Sequence, residues 1–295
     1  MELVYTWLDP TCPEFHADLR RYSSRPEHIN PERYRDCFEI LKYSLRSVES
    51  YAPWLATVHL FTRRPHVPAW LDRAHPDVRI HHHDEVIPEE YLPTFNTRCI
   101  ESYLSRLPGS SDHLLYLNDD YLFASPVSRE DFLGPADRLR IYGTVFGEHF
   151  QRSIYGEHGL PYSLHFVEHI PRLIHRPSYE AMLASRPDEL HRTRSNRFRD
   201  ARDLKMNRWY NYFLLSEKNF PVEAVPVWQA MRLSLFHPIT GDLGAQRRGL
   251  AALRRRRPRF VCLNDDLGPV PDPRVVQEVL ALLEEFYPRP SRFER

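Results

Sequence analysis

Leu114-Leu115-Tyr116-Leu117-Asn118-Asp119-Asp120 is a run of four apolar residues that ends abruptly in three short polar ones. Its length suits a buried strand, and Asn and Asp favour the turn that closes one. Upstream, the stretch Leu3 to Leu8 is also apolar and aromatic, and it stops at Asp9-Pro10. It reads as a second buried strand entering a loop. Residues 57–62 and 78–82 are further strand candidates. Before them, residues 32–51 carry Ile40, Leu41, Leu45 and Val48 at helical spacing, and Pro53 stops that helix. Asn96 can cap another helix, in which Ile100, Tyr103, Leu104 and Leu107 are apolar and Pro108-Gly109 ends the run. Strand and helix thus alternate over the first 125 residues, which predicts an α/β fold with a parallel sheet.

The pattern then changes. Residues 150–220 read as a mainly helical insertion within a single catalytic domain spanning 1–295. Asp203 can cap a helix carrying Met206, Trp209, Tyr210, Phe213 and Leu214. Strand character returns at 222–227 and 259–263, and the second of these runs into another carboxylate turn, Asn264-Asp265-Asp266. A closing helix over 273–286 places Val276, Val279, Leu280 and Leu283 on one side.

Composition narrows the classes. Lys+Arg and Asp+Glu are both 40 in 295 residues, so no excess charge is available to hold a nucleic acid. Hydrophobic residues at 42% and charged residues at 27% are those of a globular enzyme. No apolar run reaches membrane-spanning length. The first residues lack the pattern of a signal peptide. Cys12, Cys37, Cys99 and Cys262 form no CxxC pair. A reduced, cytoplasmic setting is the expectation.

Both Asn-Asp-Asp segments follow apolar strands, and open α/β sheets bind ligands at the carboxyl ends of their strands. Carboxylates there can hold a hard divalent cation that bridges substrate phosphates. His81-His82-His83 reads as a strand end at the surface rather than a metal site. His169, just before Pro171, can start a helix and project into a cleft as a general base. Arg197, Arg199 and Arg202 can clamp phosphate oxygens. Arg254 to Arg257 read as a solvated helix end able to touch an anionic membrane.

Together these pieces resemble the Stealth family of sugar-phosphate transferases. Tyr5-Thr6-Trp7-Leu8-Asp9 looks like its first block. Tyr34-Arg35-Asp36, Tyr43-Ser44-Leu45-Arg46-Ser47-Val48-Glu49, Leu92-Pro93-Thr94-Phe95-Asn96, Ile100-Glu101-Ser102 and Tyr116-Leu117-Asn118-Asp119-Asp120 resemble the second. His169-Ile170-Pro171 with Arg199 and Asp203 looks like the third. Phe260-Val261-Cys262-Leu263-Asn264-Asp265 looks like the fourth. The chain departs from the family pattern at Cys12, where a carboxylate is usual.

The resemblance implies a glycosyltransferase-A-like, Rossmann-type mixed sheet with a helical insertion. It implies transfer of hexose-1-phosphate from a UDP-sugar to a hydroxyl of a glycan acceptor, releasing UMP, in cell-surface polysaccharide synthesis. It also implies Mg²⁺ or Mn²⁺ on Asp119, Asp120 and Asp265. His169 would be the base, Arg199 would stabilise the phosphoryl oxygens, Asp203 would orient Arg199, and Asp9 would assist. Arg35, Asn96, Glu101 and Asn118 would contact the donor. Membrane association would be peripheral. Two alternatives have the same sequence features: a metal-dependent glycosyltransferase releasing UDP, and a non-catalytic nucleotide-sugar or glycan-binding protein.

Overall fold

The computed structural model describes residues 1–29, 34–153, 156–165, 168–217 and 219–295, with backbone alone over 146–163. The predicted first strand is β1 (Glu2–Trp7), followed by α1 (Pro13–Tyr22) and α2 (Ile40–Tyr51). The expected start of α2 at 32 falls partly outside the described residues, and the helix begins at Ile40, where the Asp36 carboxylate accepts the backbone N–H groups of Phe38 and Ile40. Next come β2 (Val58–Thr62), β3 (Val78–His82), the short α3 (His83–Val86), α4 (Thr97–Glu101) and β4 (His113–Asn118). As expected, Asn96 caps α4, accepting from the Arg98 N–H at 3.1 Å. β2, β3 and β4 join β1 in a parallel array, and the five-stranded order is β3-β2-β1-β4 with one further edge strand. The continuous apolar reading of β1 and β4 follows from burial on both faces: Leu3, Val4, Tyr5, Leu114, Leu115 and Leu117 are fully enclosed.

The Asp119-Asp120 turn links this sheet to β5 (Tyr121–Phe123), which belongs to a second sheet. β6 (Leu133–Gly134), β7 (Arg138–Ser153) and β8 (Gly156–Leu164) follow. β7 and β8 form a long antiparallel hairpin. The expectation of a mainly helical segment over 150–220 therefore fails in its first part. Helices occupy only its later part. The edge strand β9 (Arg172–His175) pairs antiparallel with β4, so Pro171 precedes a strand and not a helix. An unpaired sheet edge offers backbone partners that outweigh the preference of proline for a helix start, and proline is tolerated ahead of an edge strand. Then come α5 (Arg176–Ala184), α6 (Pro187–Ser195) and α7 (Met206–Ser216).

The chain closes with β10 (Val222–Pro226), α8 (Val227–Leu233), β11 (Ser234–Thr240), α9 (Leu243–Arg256), β12 (Phe260–Asp266) and α10 (Pro273–Phe286). β12 is flanked by β11, in parallel, and by β5, antiparallel. Asn264, Asp265 and Asp266 are the last residues of β12, so the second Asn-Asp-Asp continues a strand where a turn was expected. The closing helix has its predicted bounds, and its buried side is Val275, Val279, Leu282, Leu283 and Phe286, with Val276 and Leu280 at the margin.

α2 fastens the sheets together. The Ser44 hydroxyl binds the Tyr5 hydroxyl at 2.6 Å and the Tyr121 carbonyl, while Ser47 accepts the Phe123 N–H at 3.0 Å. Arg46 forks onto Glu294 with bonds of 2.9 and 2.8 Å, tying the end of the chain to the same helix. The arginine run at the end of α9 is partly engaged within the protein. Arg254 bonds Glu285 at 2.6 Å, and Arg257 lies over the Phe286 ring at 3.8 Å. Among the described residues no helix is long and apolar enough to cross a membrane.

Candidate active site

A cleft of about 550 Å³ opens at the carboxyl ends of β1, β4 and β12. It gathers seven residues singled out from the sequence: Arg35, Glu101, Asn118, Asp119, Asp120, Arg199 and Asp265. The topology explains the convergence. Asp119 and Asp120 occupy the turn between the two sheets, and the Leu263 N–H donates to the Asp120 carbonyl at 3.1 Å, stitching the two Asn-Asp-Asp segments side by side.

Burial pushes the Asp119 carboxyl well above the usual carboxylate range, and the charges of Asp120 and Asp36 push it further. Burial raises Asp120 as well, against the Cys262 thiol, which donates to Asp120 Oδ2 at 3.2 Å. Asp120 Oδ1 is buried and has no hydrogen-bond partner. Two half-buried carboxylates side by side, one with a buried and orphaned oxygen, are costly without a compensating cation. Among the described residues, no set of three or more His, Cys, Asp or Glu side chains can cage a metal alone. A hard cation held by two carboxylates and completed by substrate phosphates fits the pair.

Asp265 does not join them. Arg35 Nε and Nη2 bond its two carboxylate oxygens at 3.1 and 2.7 Å, and Nη1 donates to the Gly268 carbonyl at 2.9 Å. The residue expected as a third metal ligand is thus the partner of the residue expected to hold the donor. A bidentate guanidinium neutralises a carboxylate and fixes its plane.

Glu101 is raised by burial, opposed chiefly by the charges of Arg199 and Arg172. Its Oε1 lies 3.4 Å from the Tyr116 hydroxyl. Arg199 Nε donates to Thr97 Oγ1 at 2.9 Å, so its orientation comes from the first turn of α4. Asp203 has a different task from the one expected. It is fully buried and accepts from Asn96 Nδ2 at 2.9 Å, Asn196 Nδ2 at 2.6 Å and the Asp200 N–H at 2.8 Å. Nor does it cap α7, whose N-cap position is Lys205. A fully buried carboxylate requires such donors, and they were only found in three dimensions. Asn96 is equally enclosed and also donates to the Thr193 and Asn196 carbonyls at 3.2 and 3.1 Å. Asn96 and Asp203 therefore brace the cleft wall from behind and do not line it. Asp9 closes its own turn, accepting from the Thr11 N–H and hydroxyl at 2.8 and 2.7 Å.

His169, expected to project into the cleft, is not among the residues that line it; it meets Cys262, whose thiol donates to Asp120. Its Nδ1 is 3.8 Å from Cys262 Sγ, and its ring lies against Phe236, with centroids 4.3 Å apart. Burial lowers its pKa, against the pull of Glu168, which favours the neutral ring that accepts a proton. Burial pushes the Cys262 thiol up, so it keeps the proton it donates to Asp120.

Several cleft residues were missed in the sequence. The sequence does not single out Thr97, and Tyr116 stands out there only within the strand and the second Stealth-like block, although they bond Arg199 and Glu101. His83 was placed at a surface strand end, yet His81 and His83 are both buried, at 7% and 8% exposure. His81 Nε2 bonds His59 Nδ1 at 2.9 Å, and His83 lines the cleft. A histidine triplet crossing from a strand into a helix cannot be sorted by strand alternation.

The fold and cleft together define the class: a mixed α/β protein with a polar ligand cleft at the carboxyl ends of parallel strands. Residues 33–140 match the model of Stealth protein conserved region 2, and residues 251–295 match that of conserved region 4. The chain belongs to the Stealth family. Over its whole length it is similar to exopolysaccharide phosphotransferases of Streptomyces coelicolor, at 30% identity over 51% of that protein, and of Nocardia farcinica, at 32% over 61%. It is 29% identical to the exopolysaccharide phosphotransferase CpsY of Mycobacterium tuberculosis, covering 58% of it. The chain thus spans about half to three-fifths of the length of these relatives. Among solved structures, the galactosyltransferase LgtC with donor and acceptor sugar analogues aligns over 98% of both chains, at 14% identity and a TM-score of 0.43.

Proposed function

We propose that the chain transfers hexose-1-phosphate from a UDP-sugar to a hydroxyl of a glycan acceptor, forming a phosphodiester and releasing UMP, in cell-surface polysaccharide synthesis. The activity named for its relatives supports the phosphotransfer. The single observation that carries the reading is that an arginine, Arg199, and the half-buried pair Asp119 and Asp120 line one cleft. Such a cleft suits a pyrophosphate, with cationic and cation-binding groups both within reach.

In this reading the acceptor oxygen forms a bond to the β-phosphorus of the donor. The bond from that phosphorus to the bridging oxygen breaks, and UMP leaves with the electron pair. His169 takes the acceptor proton at a ring nitrogen. Arg199, held by Thr97, stabilises the equatorial phosphoryl oxygens. Arg35 and Asn118 line the donor side, and Glu101 holds the Tyr116 hydroxyl and balances Arg199. Mg²⁺ or Mn²⁺ held by Asp119 and Asp120 would offset the charge of the departing UMP. The four free cysteines suit a reducing, cytoplasmic location for this chemistry.

The test is the nucleotide released when the protein is incubated with Mn²⁺, UDP-hexoses and oligosaccharide acceptors. UMP supports the proposal. UDP would make the protein a glycosyltransferase and remove the phosphoryl role of Arg199.

A further inference from the structure

Three of the five large hydrophobic residues exposed among the described residues fall between 228 and 236: Trp228 at 58%, Met231 at 64% and Phe236 at 46%. Single exposed apolar side chains are ordinary, whereas a run of them marks a binding surface. This run leads to the chemistry. Phe236 stands on β11 opposite Cys262 of β12, and its exposed ring is tilted 34° against the ring of His169. Cys262 in turn donates to Asp120. Two side chains, His169 and Cys262, connect the exposed aromatic to the cleft carboxylate.

We propose that Phe236, continued by Trp228 and Met231 on α8, is the acceptor subsite: an aromatic surface on which a sugar ring of the acceptor glycan stacks so that its hydroxyl reaches His169. The inference rests on the reading of His169 as the base. A flat ring presents an electron-rich face that packs against the C–H face of a pyranose, and it fixes that sugar with little loss of side-chain freedom. An anionic bilayer is a different occupant for tryptophan and methionine. The nearby arginines disfavour it. Arg256 Nη2 folds back onto the carbonyls of Met231 and Arg232, the latter at 3.3 Å, and Arg232 lies over the Trp228 ring. Both guanidinium groups, although exposed, are engaged by protein carbonyls and an aromatic ring, which compete with lipid phosphates for them.

The test compares the wild-type chain with Phe236→Ala, Phe236→Trp and Trp228→Ala on a printed oligosaccharide array, with UDP-sugar titration and thermal melting alongside. Wild-type protein binds a set of array glycans, and Phe236→Ala weakens those hits by about tenfold. Phe236→Trp retains them, and Trp228→Ala weakens long glycans more than disaccharides. Donor affinity and melting stay unchanged in all three variants. An absence of wild-type hits, or hits insensitive to Phe236→Ala, overturns the subsite. So does wild-type binding to phosphatidylglycerol vesicles that Phe236→Ala abolishes while glycan hits persist. If the glycan hits depend on Phe236 but no sugar phosphate is ever transferred, the subsite stands and the proposed reaction falls.

Discussion

Arg35 grips Asp265 through two parallel bonds, Nε to Oδ2 at 3.1 Å and Nη2 to Oδ1 at 2.7 Å, at the rim of the cleft that also holds Asp119 and Asp120. Residues 230 positions apart in sequence thereby close the cleft between the second Stealth block and the fourth. The pair is largely enclosed, each side chain being 17% exposed. Breaking it leaves a charge with little water to compensate.

Asp265→Asn is therefore expected to destabilise the fold by about 1–3 kcal/mol, a figure below that for fully buried pairs. Mn²⁺ binding should persist, because Arg35 already occupies this carboxylate. Urea unfolding and Mn²⁺ titration by electron paramagnetic resonance check both halves. Loss of the Mn²⁺ site with no change in stability would restore Asp265 as a metal ligand.

Asp119→Asn and Asp120→Asn separate stability from function. Each removes one carboxyl from a half-buried, mutually repelling pair, so the melting temperature should hold or rise by a few degrees. Turnover should fall by about a hundredfold or more. Calorimetry beside a turnover assay measures both. A collapse of the fold would show that these carboxylates are structural.

Acid sensitivity of the fold should involve His83. Burial depresses its pKa to about 3 from the ordinary 6.5 of a histidine. Between these values the unfolded chain binds a proton that the native state does not. Stability therefore falls as pH drops below 6.5, by about 1.4 kcal/mol per unit for one such group. His83→Gln should flatten that slope between pH 6 and 4, measured by urea unfolding at each pH. An unaltered slope would mean that the ring is hydrated.

As the proposed base, His169 is expected to affect activity rather than stability. A base must be neutral, and burial lowers its pKa from 6.5. Turnover should be flat at neutral pH and fall only on the acid side, below about 6.5. His169→Ala should cost about a hundredfold in kcat or more, erase that acid limb and spare donor binding. Retained turnover would remove His169 as the base.

Where local pattern and tertiary demand agreed, the sequence was readable. β1 and β4 are enclosed on both faces and carry unbroken apolar runs, and α10 has a stable apolar stripe between Asp272-Pro273 and its end. Asn96 was correctly read as a cap, yet its remaining amide bonds run to residues about a hundred positions away, which no local pattern reveals. The same distance hid the partnership of Asp203 with Asn96. The hairpin of β7 and β8 was missed although Val145, Phe146, Phe150 and Tyr162 supply strand-favouring residues, because glycines and prolines interrupt any clear period. The cleft carboxylates were legible as a set, but the pairing of Arg35 with Asp265 was not, since both were assigned to ligands.

The most direct test of sugar-phosphate transfer is a doubly labelled donor, with ¹⁴C in the hexose and ³²P in the β-phosphate of the UDP-sugar, followed into the acceptor product. The proposed reaction moves both labels together in equal molar amounts and leaves unlabelled UMP. Product carrying ¹⁴C alone, with ³²P remaining in UDP, would contradict it.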